Sequence, residues 1–355
     1  MADRTRFVNT ASATPGGTGI TNATTGVDRA YQTLMAAELA ERRDLTTLAG
    51  RMIFNCTGTA ADTGGAVTFA TANWPNPTSA FYILIQANPG QEAVMPYSTT
   101  RYRLEPTTGS PFSCDVGFTR LFAIQAKLAA ADTGTAAFFL DVNAGGGTMY
   151  AERCFAHVNG VSGGNGFNLA GVDATATTNL GNCVAYDNSG VATCLGFQAA
   201  GGTNNPYNIS NCTAYGFTAS GTGFVSGGAL TVFKNCLAAN NNIGYSGAVA
   251  AGSKNNASSL ADAPGTSNRN TQTFTFINAA TGDLHITAGD AGAKGFGADL
   301  SADAAYPFTV DFDGLTRSAP WDIGATKAPG AAAGYPAAAF FGIPNQMPQP
   351  SVRAY

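Results

Sequence analysis

The chain runs to 355 residues, with 18 Lys and Arg, 22 Asp and Glu, and a net charge of −4. Only 11% of it is charged, against roughly a quarter in ordinary soluble domains, so Thr, Ser, Asn, Gln and Gly must coat the surface. With no run of Lys or Arg and no window of about 18 apolar residues, the composition argues against a nucleic-acid partner and against a membrane span.

At the N-terminus, "MADRTRFVNTASATPGG" lacks the apolar core of an export signal, so synthesis in the cytosol is expected. Residues 1–27 read as an N-terminal arm, and 28–50 as an amphipathic cap. Asp28 stands in the N-cap position, while Tyr31, Leu34, Met35 and Leu39 share one face of a helix over 28–42. From residue 51 the pattern changes to short strands separated by Gly, Pro, Asn or Thr turns: "RMIFNCTG", "AFYILIQA", "TRYRLEP", "RLFAIQAKL" and "TAAFFLDV". These early strands carry much of the chain's charge, at Arg101, Arg103, Glu105, Asp115, Arg120, Lys127, Asp132 and Asp141. Alternation puts Arg101, Arg103 and Glu105 on one strand face. A surface ion-pair strand is the plain reading, and a polysaccharide groove the sharper one.

A repeat then declares itself. Cys154, Cys183, Cys212 and Cys236 lie at intervals of 29, 29 and 24 residues, each with Ala two places on. Cys and Ala fall on the same strand face and are small enough for a crowded interior. A second strand in each repeat carries Gly followed by Phe167, Phe197, Phe224 or Tyr245. Periods of this length, in strands without amphipathic helices between them, indicate a β solenoid, and a parallel β-helix fits best. In such a fold the cysteines and the aromatics become interior ladders. Asn182, Asn211 and Asn235 precede three of the cysteines, as residues suited to an unusual backbone angle at a turn, with Arg153 breaking the column. The count of seven cysteines is odd, and their spacing is not that of zinc pairs, so they read as reduced, buried thiols. If residues 51–327 all form coils of roughly 27 residues, about ten coils make a rod of roughly 50 Å.

The stacked rungs from Cys154 to Gly252 resemble the right-handed parallel β-helix superfamily, also called pectate-lyase-like. The segment "FINAATGDLHITAGDAGAKGFGADL", with "DFDGLTR" and "WDIGA" after it, is similar to the closing segment of many bacterial and phage members. Asp311, Gly314, Arg317, Asp322, Ile323, Gly324 and Ala325 carry that match. The opening "FVNTASATPGGTGITNATTGVDRAYQTL" also looks like the start of such proteins. The resemblance implies the fold, all-β with a closing motif, and leaves the activity open, since this fold carries lyases, hydrolases and inert virion parts. Residues 328–355, with Pro at 329, 336, 344, 348 and 350, cannot be a regular helix and read as a C-terminal arm.

Catalytic candidates are sparse. His157, Tyr186 and Tyr215 lie three places after their cysteines, on the outer face, where they form either a plain ladder or a glycan-contact column. His285 reads as structural, and Asp311 and Asp313 as a turn, because the spacing of a calcium loop is absent. No catalytic residue, metal or cofactor is assigned. The leading expectation is a non-enzymatic structural protein on a phage particle, a capsid decoration protein or head fibre. It would contact the major capsid protein or other virion proteins through its terminal arms and form a homo-oligomer, with a trimer as the guess. The alternatives are a tail fibre or spike adhesin, and a polysaccharide depolymerase acting on host-surface glycans. Convergence of Arg101, Arg103, Asp115, Lys127 and Asp141 would favour the enzyme.

Overall fold

The computed structural model describes residues 3–329 apart from 13–16, 131–132, 143–145, 172, 188, 191–192 and 201–204. Most of the C-terminal arm therefore lies outside the described residues, as does Asp132. The chain is a parallel β-helix of three sheets. Sheet I stacks eight strands beginning with Arg4–Asn9 and Met52–Thr57 and ending with Thr231–Lys234. Sheet II stacks seven, from Val67–Phe69 to Ile243–Ser246, and sheet III eight, from Ala61–Asp62 to Ala257–Ser258. Each coil visits sheet I, then III, then II.

The repeats thus contain three strands where the sequence shows two signatures. The extra strand, represented by Ala176–Gly181, Tyr207–Ser210 and Thr231–Lys234, has no residue type common to all three coils, although Asn179 and Asn208 pair in two of them. The two visible signatures do form the ladders. Phe138, Phe167, Phe197, Phe224 and Tyr245 stack with successive ring centroids 4.9, 4.9, 4.8 and 4.9 Å apart. The Gly before each of the last four rings is required by close approach: a Cβ at Gly196 would stand 2.5 Å from the Gly223 carbonyl oxygen. All seven cysteines are free and buried, and burial pushes the thiols of Cys154, Cys183 and Cys212 well above their ordinary range. They are interior hydrophobes without thiolate chemistry.

The corner between sheets I and III explains the Asn column. Arg153, Asn182, Asn211 and Asn235 all have left-handed backbone, with φ of 55°, 53°, 49° and 53°. Asn tolerates that conformation best among residues with a side chain, and Arg153 adopts it as well.

Both ends depart from expectation. Residues 1–27 do not form a free arm throughout, because Arg4–Asn9 pairs in parallel with Met52–Thr57 and opens sheet I. The cap contains a shorter helix, α1 (Leu34–Glu41), with Thr33 and not Asp28 as its N-cap, followed by α2 (Leu45–Leu48). Tyr31 is held instead by a parallel bridge to Val8, and Leu39 faces outward. The buried face is Leu34, Ala37, Glu38 and Glu41, a stripe at helical spacing whose two carboxylates are paired. At the other end Asp262 accepts from the backbone N–H groups of Gly244 and Tyr245, blunting the last strand of sheet II.

The rod has about seven three-strand coils, roughly 34 Å of stacking, instead of ten. Residues 254–269 add partial turns, Lys254 and Ala257 bridging in parallel to the last coil on one side and to Thr266 and Arg269 on the other, and beyond them the stacking ends. Residues 276–328 turn back and run along the outside of the rod as a strap.

Candidate functional site

The strap follows the corner column. Asn235 exchanges two hydrogen bonds with Ala298, Asn182 donates to the Val310 carbonyl at 3.0 Å, and Arg153 donates to the Phe312 carbonyl at 2.6 Å. The closing motif therefore fastens the strap to the flank and does not lie across an open end. Within it Arg317 is buried and donates to Asn182 Oδ1 at 3.1 Å and to the Gly324 and Ala325 carbonyls at 2.9 Å each. Asp311 accepts from the N–H groups of Asp313, Leu315 and Lys327, while burial, with Asp313 beside it, pushes its carboxyl up to about 6. Asp322 accepts from Gly295 and Ala328. Gly314 and Gly324 take positive φ, and a Cβ at Gly324 would press on Thr213 Oγ1 at 2.9 Å.

His285 joins the strap to itself. Its Nδ1 meets Asp283, and its Nε2 lies 2.8 Å from Asp313 Oδ2. Burial alone would lower its pKa, but the two carboxylates outweigh burial and push it up to about 10. The imidazolium is an ion-pair bridge.

The outer face of sheet III is consequently a second core. Leu284, Phe312 and Ala325 of the strap, with Ala93 and Met95 of the 88–102 loop, pack on Phe155, Val184 and Tyr186. Ile286, Ala293 and Ile323 cover Leu237, Ala239 and Ala257. This corrects the reading of His157, Tyr186 and Tyr215 as a solvent-facing column. The three are in register, as alternation requires, but Tyr186 is 2% exposed and its hydroxyl donates to the Ala280 carbonyl at 3.0 Å. Tyr215 meets the edge of Phe276 at 5.6 Å. A sugar cannot stack on this part of the column without displacing the strap.

At the remaining rung of the column, His157, the cover comes from the 88–102 loop through Tyr97 and not from the strap. There His157 stands beside Lys127 in the rung before it, with its ring 5.5 Å from Tyr97 and 5.4 Å from Tyr186. The Tyr97 hydroxyl donates to Glu105 at 2.8 Å, and Arg103 Nε donates to the same oxygen at 3.2 Å. Burial, and then the Lys127 charge, lower the His157 pKa to about 4, and Nδ1 is buried without a partner among the described residues. The cluster thus offers an ammonium, a neutral imidazole and a shared carboxylate. It suits hydrogen bonding to a polar ligand better than proton transfer, since a base of that pKa takes up a proton poorly near neutrality.

No family model matches the chain, and no curated protein matches it. Among solved structures it is similar to the crystal structure of pectate lyase Pel9A, at 12% identity and a TM-score of 0.42, over 93% of this chain and 97% of that one. The parallel sheets themselves establish the β-helix.

The early charged residues do not converge. Arg103 and Lys127 belong to sheet III, Arg120 to sheet I and Asp141 to sheet II, so they point in three directions. Arg120 packs over the rings of Tyr82 and Tyr150 at 4.3 and 5.3 Å, Asp115 binds Thr71 at a sheet II corner, and Arg101 lies in the loop entering the Arg103 strand. Arg103 and Glu105 do form the expected ion pair. Tyr97 is the residue that sequence reading misses. Nothing in a long loop reveals which rung it will cover.

Proposed function

We propose that the chain is a non-enzymatic structural shaft on the exterior of a phage particle, a capsid decoration protein or head fibre. The observation that carries this reading is the strap. The outer face of sheet III, from Phe155 to Ala257, is covered by the chain's own 276–328 segment, and the closing-motif charges are spent fastening it. The charge-poor coat and seven buried thiols accord with a rod made in a reducing cytosol and displayed outside. Particle contacts would be made at the rod's ends, and a homo-oligomer, first of all a trimer, is the state to look for.

Cryo-electron microscopy of purified particles tests it, with coils projecting from capsomers as the expected result. Density at the tail tip favours the adhesin, and absence from particles overturns the structural reading. Lys127 beside the His157 Nδ1, which has no partner among the described residues, favours a second reading, a glycan-binding adhesin of the host surface, over the depolymerase. Incubation with uronate polysaccharides, followed by ultraviolet absorbance of an unsaturated product, is expected to give no signal.

A further inference from the structure

The N-terminal end of the rod holds a pocket of about 480 Å³ between the strand Arg4–Asn9, the 17–31 loop and α1. Arg4 and Arg6 line it with Glu41, and Ile20, Ala36 and Ala40 supply its apolar wall. Glu41 is buried and fully subscribed. Arg4 Nε donates to its Oε2 at 2.9 Å, Arg43 Nη2 to the same oxygen at 2.6 Å, and Arg6 Nε and the Tyr31 hydroxyl donate to Oε1. Three guanidinium groups therefore surround one carboxylate, and two positive charges are left over in a chain whose net charge is −4.

Neighbouring charges do not cancel the surplus. Asp3 is paired with Arg51 and Glu38 with Arg42, while Asp28 on the loop is adjacent to Arg29. Glu41 itself stays ionised: burial would raise its pKa, but the bonds from Arg6 and Tyr31 outweigh burial and lower it. Around the pocket the surface is unusually apolar, with Ile20, Val27 and Leu39 exposed by 52%, 77% and 50%.

We propose that this pocket is a docking site for an acidic side chain of a partner protein, an Asp or Glu flanked by apolar residues that cover Ile20 and Leu39. Guanidinium groups already oriented by Glu41 present their remaining N–H donors without further ordering, which favours a carboxylate that completes the fork. Residues 330–355 carry no Asp or Glu side chain. The inference is independent of the virion reading, because it concerns ligand chemistry at one end of the rod.

The test uses the full chain and two probes, acetyl-Leu-Glu-Leu-amide and its Gln counterpart, added at low salt while the arginine Nε–H resonances are followed by NMR. Saturable shifts of Arg4, Arg6 and Arg43 with the Glu peptide are expected, at least about threefold weaker with the Gln peptide and in raised salt. Arg4→Gln, with its melting temperature checked, should weaken binding by a similar factor, and Arg29→Gln should not. Equal response to both peptides, or none, overturns the proposal. So does self-association that Arg4→Gln abolishes, which would give the pocket to a second copy of the chain.

Discussion

Two rungs of the same outer column have opposite fates. At Tyr186 the strap lies directly overhead, the hydroxyl is bonded to it, and the ring belongs to a second core. One rung earlier, at His157, the cover is a loop contributing Tyr97, and Lys127 comes next. The two histidines mark the contrast. His157, buried beside a cation, is lowered to about 4, whereas His285, within the strap and between two carboxylates, is raised to about 10. What a repeating position becomes is decided by the non-repeating segment that crosses it.

The largest way to break the contrast is to release the strap. Arg317→Ala leaves Asn182 Oδ1 and the Gly324 carbonyl without their donor in a buried site, and the Ala325 carbonyl with only the Phe312 N–H. It should cost roughly 3 kcal/mol or more. Limited proteolysis should then cut within 276–328 before the coils are touched, and Tyr186 should become accessible. Global unfolding without early strap cleavage would mean that strap and coils are one cooperative unit.

The strap should also respond to pH. His285 has a folded pKa above the ordinary 6.5, so its stabilisation is fully present below that value and is lost as pH rises toward about 10. Strap cleavage should accelerate over that window, and His285→Gln should remove the dependence. His157 has the opposite sign. Its folded pKa is depressed, so stability is lost as pH falls from 6.5 toward about 4, and this acid limb should survive in His285→Gln.

A smaller effect is expected from Tyr186→Phe, which removes only the hydroxyl bond to Ala280. About 1 kcal/mol should be lost on chemical denaturation. No loss would indicate that apolar contact alone seats the strap.

How much of this was legible follows from the same distinction. The interior ladders could be read because stacking at a fixed rise demands the same small or flat residue in every coil, and Cys154 to Cys236 and Phe167 to Tyr245 repeat accordingly. The Asn column could be read as a turn, but not as the strap's anchorage, since that use depends on a segment 128 residues further on for Asn182 and Val310. The closing motif was recognisable, yet its course was not, and so Tyr186 was placed on the surface. The helix over 28–42 was overextended because its periodicity does not reveal that Tyr31 bridges to Val8.

The finest test asks what sets the character of the His157 cluster. Burial is the larger cause of the low His157 pKa and the Lys127 charge the smaller. Tyr97→Ala lifts the aromatic cover and should move the imidazole well back toward 6.5, whereas Lys127→Met leaves the cover in place and should raise it by under about one unit. Ring NMR titration of His157 in both variants reads the difference directly. If Lys127→Met gives the greater rise, the neighbouring charge governs the site. His157 would then be tuned by whatever neutralises Lys127, as an anionic ligand would.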